Sequence, residues 1–343
     1  VAFAEESTWF DEPGTAHWTN SSGNNKWVDP SNWKEGKVPG RFRTSDDGEI
    51  FGCLGCTAVF GKDCVNFRNY VDLNGLRSIA EVRFEDAVEG PFKMSSGESP
   101  AFPLEQDGRV YVAPEVAYSP VIAGQIAPSA GYTGTGSIKY TLENDSQVAL
   151  VVNNVGSLQS YRDPFGWTTI VPTLKGAGPI QRNAHFYTSG WSISLNLAQS
   201  GGTYVANCGT QSTQNGYNGI TTLADSGCQQ KVSIPSGKYL YLANNGQWSA
   251  IITANEDLLI GGEGTLRVNA AAAWPLQFMV AAGKTIRIEC PVESYNGSNG
   301  YQFYNSGDGV LEMWGNYAAS GNPTVNTATL RVPRFGMAGA ASP

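Results

Sequence analysis

The sequence predicts an all-β protein organised as a β-solenoid, on the strength of a repeat and a strand pattern. Near the C-terminal end, Gly264-Thr265-Leu266 aligns with Gly309-Val310-Leu311 at an offset of 45 residues. A second alignment, of Gly237-Lys238 with Gly283-Lys284, has an offset of 46. Each copy contains glycine-bounded runs that alternate apolar and polar residues, which is strand periodicity. Repeats of roughly 20–50 residues indicate solenoids and similar arrays, so we expect each copy to cover two turns.

Composition is typical of turn-dense extracellular β proteins. Of the 343 residues, 41% are hydrophobic, which suffices for a sizeable core, while only 15% are charged and 41 are glycine. The net charge is −8 and the cations are scattered, whereas phosphate binding needs clustered cations. We therefore expect no nucleic-acid partner. No apolar run approaches the roughly 18 residues of a spanning helix, so we expect no membrane insertion.

The N-terminal region, 1–60, predicts secretion and an aromatic cap. Ala2-Phe3-Ala4 has the small-x-small form of a signal-peptidase site, so we expect an extracellular or cell-surface protein after signal-peptide removal; the alternative is an artificial chain boundary. A solenoid's first coil has no preceding neighbour and needs bulky cover, although aromatic faces can instead stack on glycans. Either role would fall to four tryptophans: Trp9, Trp18, Trp27 and Trp33.

Six cysteines fit an oxidising compartment, where an even count suggests disulfides. Cys208–Cys228 is the most plausible pair, because it would close a loop too polar to hold itself; the chain-entropy model gives such a bridge roughly 3 kcal/mol. The other candidates are Cys53, Cys56, Cys64 and Cys290. Cys53-x-x-Cys56 could begin a zinc site, but no second pair follows at ligand spacing. We expect no metal and no cofactor.

The solenoid itself is predicted over 61–333, with alternating runs separated by turn clusters. Three prolines and a polar, small-residue stretch at 199–229 interrupt the pattern, so we expect a loop-rich insertion at about 153–230. Long insertions in repeat proteins often make the specific contacts. The tail at 334–343 is rich in Ala, Gly, Ser and Pro, and is expected to be flexible or to dock.

Two stretches resemble the autotransporter-associated β-strand repeat family. Gly307-Asp308-Gly309-Val310-Leu311, followed by Thr329-Leu330-Arg331-Val332, is similar to that family's glycine-bounded strand pattern, and Gly262-Glu263-Gly264-Thr265-Leu266 matches again. The tryptophan-rich opening is similar to the start of secreted proteins that carry such repeats. The resemblance implies a right-handed parallel β-helix secreted by bacteria and displayed at the surface, without catalytic residues. The chain is richer in cysteine than such proteins usually are.

Signals for catalysis are sparse. His17 and His185 sit in no recognisable nucleophile or metal context, and the acidic residues lie where solvated turns would place them. We therefore predict no catalytic residues and a non-enzymatic structural or adhesive element, associating with copies of itself end to end into fibres or laterally. The alternatives are a polysaccharide lyase or glycosidase on a β-helix, and a carbohydrate-binding module that contacts surface glycans through its tryptophans.

Overall fold

A computed structural model describes a large part of the chain. The residues described are 8–43, 50–68, 70–86, 90–95, 101–128, 138–155, 170–182, 192–198, 203–206, 219–224, 230–243, 251–254, 256–269, 276–294, 302–305, 307–315, 317–318, 324–327 and 330–331.

The chain divides into two compact units, Val1–Val155 and Gly156–Pro343. The predicted cap region, 1–60, therefore belongs to the first unit. That unit has a short 3₁₀ helix, Pro30–Asn32, and eleven strands: β1 Thr15–His17, β2 Arg41–Arg43, β3 Ile50–Gly52, β4 Thr57–Phe60, β5 Val71–Asp72, β6 Leu76–Phe84, β7 Lys93–Ser95, β8 Ala101–Val112, β9 Val121–Pro128, β10 Ile138–Asn144 and β11 Leu150–Val155.

The strands of the first unit stack in parallel, as predicted for a solenoid. One ladder runs β1–β4–β6–β8–β10, and a second runs β5–β7–β9–β11. An antiparallel hairpin, β2–β3, departs from this pattern; β2 also pairs antiparallel with β6. The hairpin lies within the region predicted as the cap.

The second unit is also built from parallel strands. They are β12 Ile170–Lys175, β13 Ile180–Arg182, β14 Ser192–Ala198, β15 Thr203–Ala206, β16 Gly219–Ala224, β17 Gln230–Ser233, β18 Tyr239–Ala243, β19 Ile251–Ala254, β20 Leu258–Gly261, β21 Thr265–Asn269, β22 Leu276–Val280, β23 Thr285–Ile288, β24 Val292–Ser294, β25 Gln302–Asn305, β26 Val310–Met313, β27 Tyr317–Ala318, β28 Thr324–Thr327 and β29 Leu330–Arg331. Three ladders hold them: β12–β14–β16–β19–β22–β25–β28, β13–β15–β17–β20–β23–β26–β29 and β18–β21–β24–β27. The predicted all-β solenoid is confirmed.

The register of the parallel strands stacks aliphatic side chains of successive coils above one another. In the first unit Ala16, Ala58, Val82, Val110 and Leu142 form one buried column across five strands. Because strand side chains alternate, the residues on either side of this column face outward. Burying a valine or leucine side chain stabilises the fold by about 1.5–3 kcal/mol, so Val82, Val110 and Leu142 contribute more than the two alanines.

The spacing of the coils corrects the predicted repeat. Leu240 pairs with Leu266, and Leu266 with Val292, so consecutive coils are 26 residues apart on that ladder. Val232 pairs with Ile260, 28 residues further on. An offset of 45 residues is therefore not two turns. It is longer than one coil and shorter than two.

The repeat instead marks a corner at which one coil covers the turn of the coil before it. Gly264 donates its N–H to the carbonyl of Ile234 at 2.8 Å, and Thr265 donates to Lys238 at 3.0 Å. Gly309 donates in the same way to Val280 at 2.9 Å, and the residue after it donates to the carbonyl of Lys284 at 2.9 Å. The first corner lies between β17 and β18 and the second between β22 and β23, so one local structure recurs on two different corners.

The predicted insertion contains strands of the stack. Within about 153–230 the strands β12 to β17 carry parallel pairings, among them Ser192–Leu197 of β14 with Gly219–Ala224 of β16. The polar residues at 207–218 and 225–229 lie outside the described residues. No helix in the described part of the chain is long and apolar enough to cross a membrane.

Candidate functional site

The four predicted tryptophans lie in the first unit, and three of them are buried. Trp18, Trp27 and Trp33 expose 2%, 0% and 2% of their surface. The rings of Trp18 and Trp27 each meet that of Trp33 edge to face, with centroids 5.0 Å and 4.9 Å apart. Phe60 lies within 6 Å of all three. A buried ring offers no face to a sugar, so the burial of these three favours the cap interpretation over glycan contact.

Hydrogen bonds fix the orientation of two of these rings. The indole N–H of Trp27 donates to the carbonyl of Pro39 at 3.1 Å, and that of Trp33 donates to the carbonyl of Trp27 at 2.8 Å. Buried indoles need such partners, because an unpaired donor would keep its desolvation cost. Trp9 is only half-buried; its ring lies 4.8 Å from Phe51 and 6.3 Å from Phe42 in the β2–β3 hairpin.

The 3₁₀ helix holds the segment that carries Trp33 across the first coil. Asp29 caps it, accepting hydrogen bonds from the N–H and hydroxyl of Ser31. Burial raises the pKa of the Asp29 carboxyl, but the hydrogen bonds from Ser31, Asn24 and Ser22 outweigh that effect and lower it overall. The turn therefore holds Asp29 as a carboxylate.

The same segment closes the outer edge of β1. On its inner side β1 pairs with β4. On its outer side the N–H of His17 donates to Glu35 Oε2 at 2.7 Å, and its carbonyl accepts from the N–H of Lys34 at 2.9 Å. The next outward contact is Thr19 N–H to the carbonyl of Asn32, at 2.8 Å. An unpaired edge strand is a template for another chain, and here the outward N–H and carbonyl of His17 are already bonded.

Beside this edge lies a pocket of about 280 Å³, which we call the His17 pocket. It opens on the outward face of the first coils, next to β1, β4 and the end of β6. Gly61 lets the second coil pass close to the third, since a Cβ there would stand 2.7 Å from the carbonyl of Glu85. The lining residues are His17, Lys34, Val59, Gly61, Lys62, Asp63, Glu85 and Asp86.

Charges in and around the His17 pocket are paired with one another. His17 Nδ1 lies 2.7 Å from Glu35 Oε1, and Lys34 Nζ lies 3.0 Å from Asp63 Oδ2. Two further pairs are Lys62 with Asp86 at 3.6 Å and Arg83 with Glu85 at 3.4 Å. Such surface pairs contribute little to stability. They do place the ammonium donors of Lys34 and Lys62 and the carboxylate acceptors of Asp63, Glu85 and Asp86 around one cavity.

Sequence reasoning treated His17 as structural, and the structure gives it that use at the edge of β1. It did not single out Glu35, Lys34 or Asp63, because the contacts that join them to His17 and to each other span 17 to 29 residues of sequence. Two neighbouring acidic residues, Glu85 and Asp86, line the pocket. Asp257 instead accepts the N–H of Thr285 at 2.8 Å, joining neighbouring coils. His185 lies outside the described residues.

Metal binding finds no support in the described residues, where no group of three or more His, Cys, Asp and Glu side chains is placed to hold an ion. This includes Cys53 and Cys56, which sequence reasoning considered as the start of a zinc site.

The expected disulfides are absent from the described part of the chain. Cys53, Cys56, Cys64 and Cys290 are thiols there. Cys53 Sγ and Cys56 Sγ are 2.9 Å apart, a hydrogen-bonding contact longer than the roughly 2.05 Å of a disulfide. Burial raises the pKa of the Cys290 thiol to about 11, which makes it a poor nucleophile. Cys208 and Cys228, the pair expected to bridge a loop, lie outside the described residues.

A second feature of the outward faces is a ladder of charged and aromatic side chains. In the first unit Arg109 pairs with Glu143 at 3.0 Å and Glu81 at 3.4 Å, and its guanidinium lies 4.3 Å from the ring centre of Tyr111. In the second unit Arg287 stacks on Trp314 at 4.2 Å. These contacts join neighbouring coils on their solvent side.

Comparison with known proteins adds no relative. No family model, no curated protein and no solved structure matches the chain. The family resemblance therefore stays an expectation from the sequence, and function must be argued from the residues.

Proposed function

We propose that this protein is a secreted, non-enzymatic structural or adhesive element of the bacterial surface. The observation that carries the proposal is the N-terminal cap. Trp18, Trp27 and Trp33 are buried where they cover the first coil. His17, the one histidine among the described residues, is hydrogen-bonded at the outer edge of β1. A stack whose regular positions are occupied by coil-to-coil contacts is suited to bearing load and displaying surface.

Self-association is the second part of the proposal. Because the outer edge of β1 is occupied, growth by strand addition at that end requires the cap to be displaced. In the second unit, the last strands in chain order are β28, which pairs with β25, and β29, which pairs with β26. Within the described residues no strand pairs with the far sides of β28 and β29. We propose that a second copy adds there.

Light scattering over a concentration series tests the association. We expect assemblies that grow with concentration and are weakened by deletion of 334–343, the segment that follows these strands. Electron microscopy of the same samples should show extended particles. A chain that stays monomeric at the highest attainable concentration would remove the self-association proposal.

A matched assay tests the non-enzymatic part. The protein is incubated with a panel of acidic and neutral polysaccharides, and product release is followed by absorbance and by reducing ends. We expect no turnover above that of the heat-denatured protein. Turnover that is lost in His17→Ala would instead support a glycan-cleaving enzyme at the His17 pocket.

Saccharide binding without cleavage is a second candidate, favoured by the paired charges of the His17 pocket. Hydroxyl groups donate and accept at once, so a neutral sugar can use an ammonium and a carboxylate together, whereas an ion would meet charges of its own sign. Saturation-transfer NMR with neutral oligosaccharides tests this. Signal should fall in Asp63→Asn and persist in Asp308→Asn, an exposed acid of the second unit that does not line the pocket.

A further inference from the structure

Two thiols meet where the cap hairpin joins the first coils. Cys53 follows β3 directly, and Cys56 directly precedes β4. Their sulfur atoms are 2.9 Å apart, so no backbone rearrangement is needed to bring them together. The turn that carries them is tight. Gly52, just before Cys53, and Gly55, between the two cysteines, both have positive φ, at 85° and 79°, which favours glycine.

The turn is anchored on both sides. Gly55 donates its N–H to Glu105 Oε2 at 2.9 Å, and the carbonyl of Cys56 accepts from the N–H groups of Ala80 and Glu81, each at 3.2 Å. Cys56 is thereby fixed to β6, the third strand of the parallel ladder. Cys53 belongs instead to the β2–β3 hairpin. A covalent bond between the two sulfurs would add to the pairing of β2 with β6 a covalent link between the hairpin and the stack.

We propose that Cys53 and Cys56 are a redox-modification site that closes as an intramolecular disulfide by exchange with a small-molecule disulfide. One thiolate attacks a sulfur of the external disulfide, forming a mixed disulfide and releasing one thiol. The second thiolate attacks the mixed disulfide, forms the Cys53–Cys56 bond and releases the second thiol. Two protons leave the cysteines, and the external disulfide takes up the two electrons that they lose.

Exposure decides the order of attack. Cys56 is fully buried, whereas Cys53 is partly exposed, so Cys53 meets the external disulfide and Cys56 resolves the intermediate. Burial, the hydrogen bond with Cys56 and the carboxylates of Glu105 and Asp11 raise the pKa of the Cys53 thiol to about 12. Since only the thiolate reacts, closure should be slow at neutral pH and accelerate about tenfold per pH unit below that pKa.

The other two described cysteines, Cys64 and Cys290, lie in different surroundings. Cys64 lies beyond β4, in the turn where its N–H donates to the carbonyl of Gly61 at 3.2 Å. Cys290 is buried in the second unit. Cys53 and Cys56 are the pair whose sulfur atoms are in contact within the described residues.

The full chain, purified under reducing conditions, is treated with oxidised glutathione, alkylated and digested for mass spectrometry. We expect a peptide lighter by two hydrogens that holds Cys53 joined to Cys56, and restoration of both thiols by dithiothreitol. The closure rate, measured between pH 7 and 9, should rise about tenfold per unit. Cys64→Ser should close as fast as the parent, while Cys56→Ser should stop at a glutathione adduct on Cys53.

Hydrogen exchange shows whether the disulfide acts as a latch, that is, whether it stabilises the β2–β3 hairpin against local opening. On closure the amides of the β2–β3 hairpin should exchange more slowly, and those of β20 and β23 should not change. Joining of Cys53 to any other cysteine, or equal alkylation of Cys53 and Cys56 before and after glutathione, would overturn the proposal. Unchanged exchange in the hairpin would overturn its role as a latch.

Discussion

At the scale of single residues, Trp27 shows how the cap is held. It exposes 0% of its surface, packs against Trp33 and Phe60, and donates its indole N–H to Pro39. Truncating a buried tryptophan leaves a cavity that typically costs about 3–5 kcal/mol. We therefore expect Trp27→Ala to lower the free energy of unfolding of the first unit by that amount, measured in urea by far-ultraviolet circular dichroism.

Trp314 is the matched control for that substitution. It exposes 49% of its surface and stacks on Arg287. Loss of an exposed cation–π contact costs about 0.5–1 kcal/mol, so Trp314→Ala should be mild. If the two substitutions had equal effects, the burial of Trp27 would not be what stabilises the cap.

The residue scale is also where sequence reasoning left two answers open. Four tryptophans within 25 residues suit a sugar platform as well as a cap. The cap interpretation is favoured by the position of Phe60, whose ring lies within 6 Å of those of Trp18, Trp27 and Trp33. Phe60 comes from the second coil, with Phe84 and Phe92 against it at 5.8 Å and 5.2 Å, and no local pattern in the sequence places it over the tryptophans.

At the scale of elements, the corner glycines explain why a repeat was detectable. A Cβ on Gly264 would stand 2.3 Å from the carbonyl oxygen of Pro235, and one on Gly309 would stand 2.3 Å from that of Ala281. Both positions exclude side chains because one coil passes directly over the turn of another. The sequence predicted the strands and the presence of a repeat from this motif. The sequence could not reveal which corner of the coil each copy of the motif occupies. The prediction that the 45-residue offset covers two turns is therefore wrong.

Substituting a corner glycine tests that explanation. We expect Gly264→Ala to destabilise the second unit by about 1–3 kcal/mol, because the added methyl forces the two coils apart. Gly261→Ala is the control, since a Cβ there meets only side-chain atoms, the nearest at 3.7 Å. Thermal unfolding of the three proteins measures the difference. Equal melting temperatures for Gly264→Ala and the parent would show that the corner can relax.

At the scale of the whole molecule, composition predicted a turn-dense β protein. The parallel registers of the strands show that this β protein is a solenoid. High glycine content follows from the same geometry, since every coil needs turns. The edge closure by Lys34 and Glu35 escaped prediction. It depends on Lys34 and Glu35, which contact His17 of β1 from 17 and 18 residues further along the chain. No motif in the intervening sequence indicates that the chain folds back onto β1.

That closure leads to an expectation about assembly. Glu35→Ala removes the acceptor of the His17 N–H and leaves that donor unpaired on the outer edge of β1. An incoming strand that pairs with it would recover about 1 kcal/mol, which is roughly a fivefold gain in association constant. Analytical ultracentrifugation should therefore show more assembly for Glu35→Ala than for the parent. Glu263→Ala, which changes an exposed acid in the second unit by the same charge, should match the parent. If both variants gained assembly equally, reduced charge repulsion would be the cause and the edge of β1 would not be protected by Glu35.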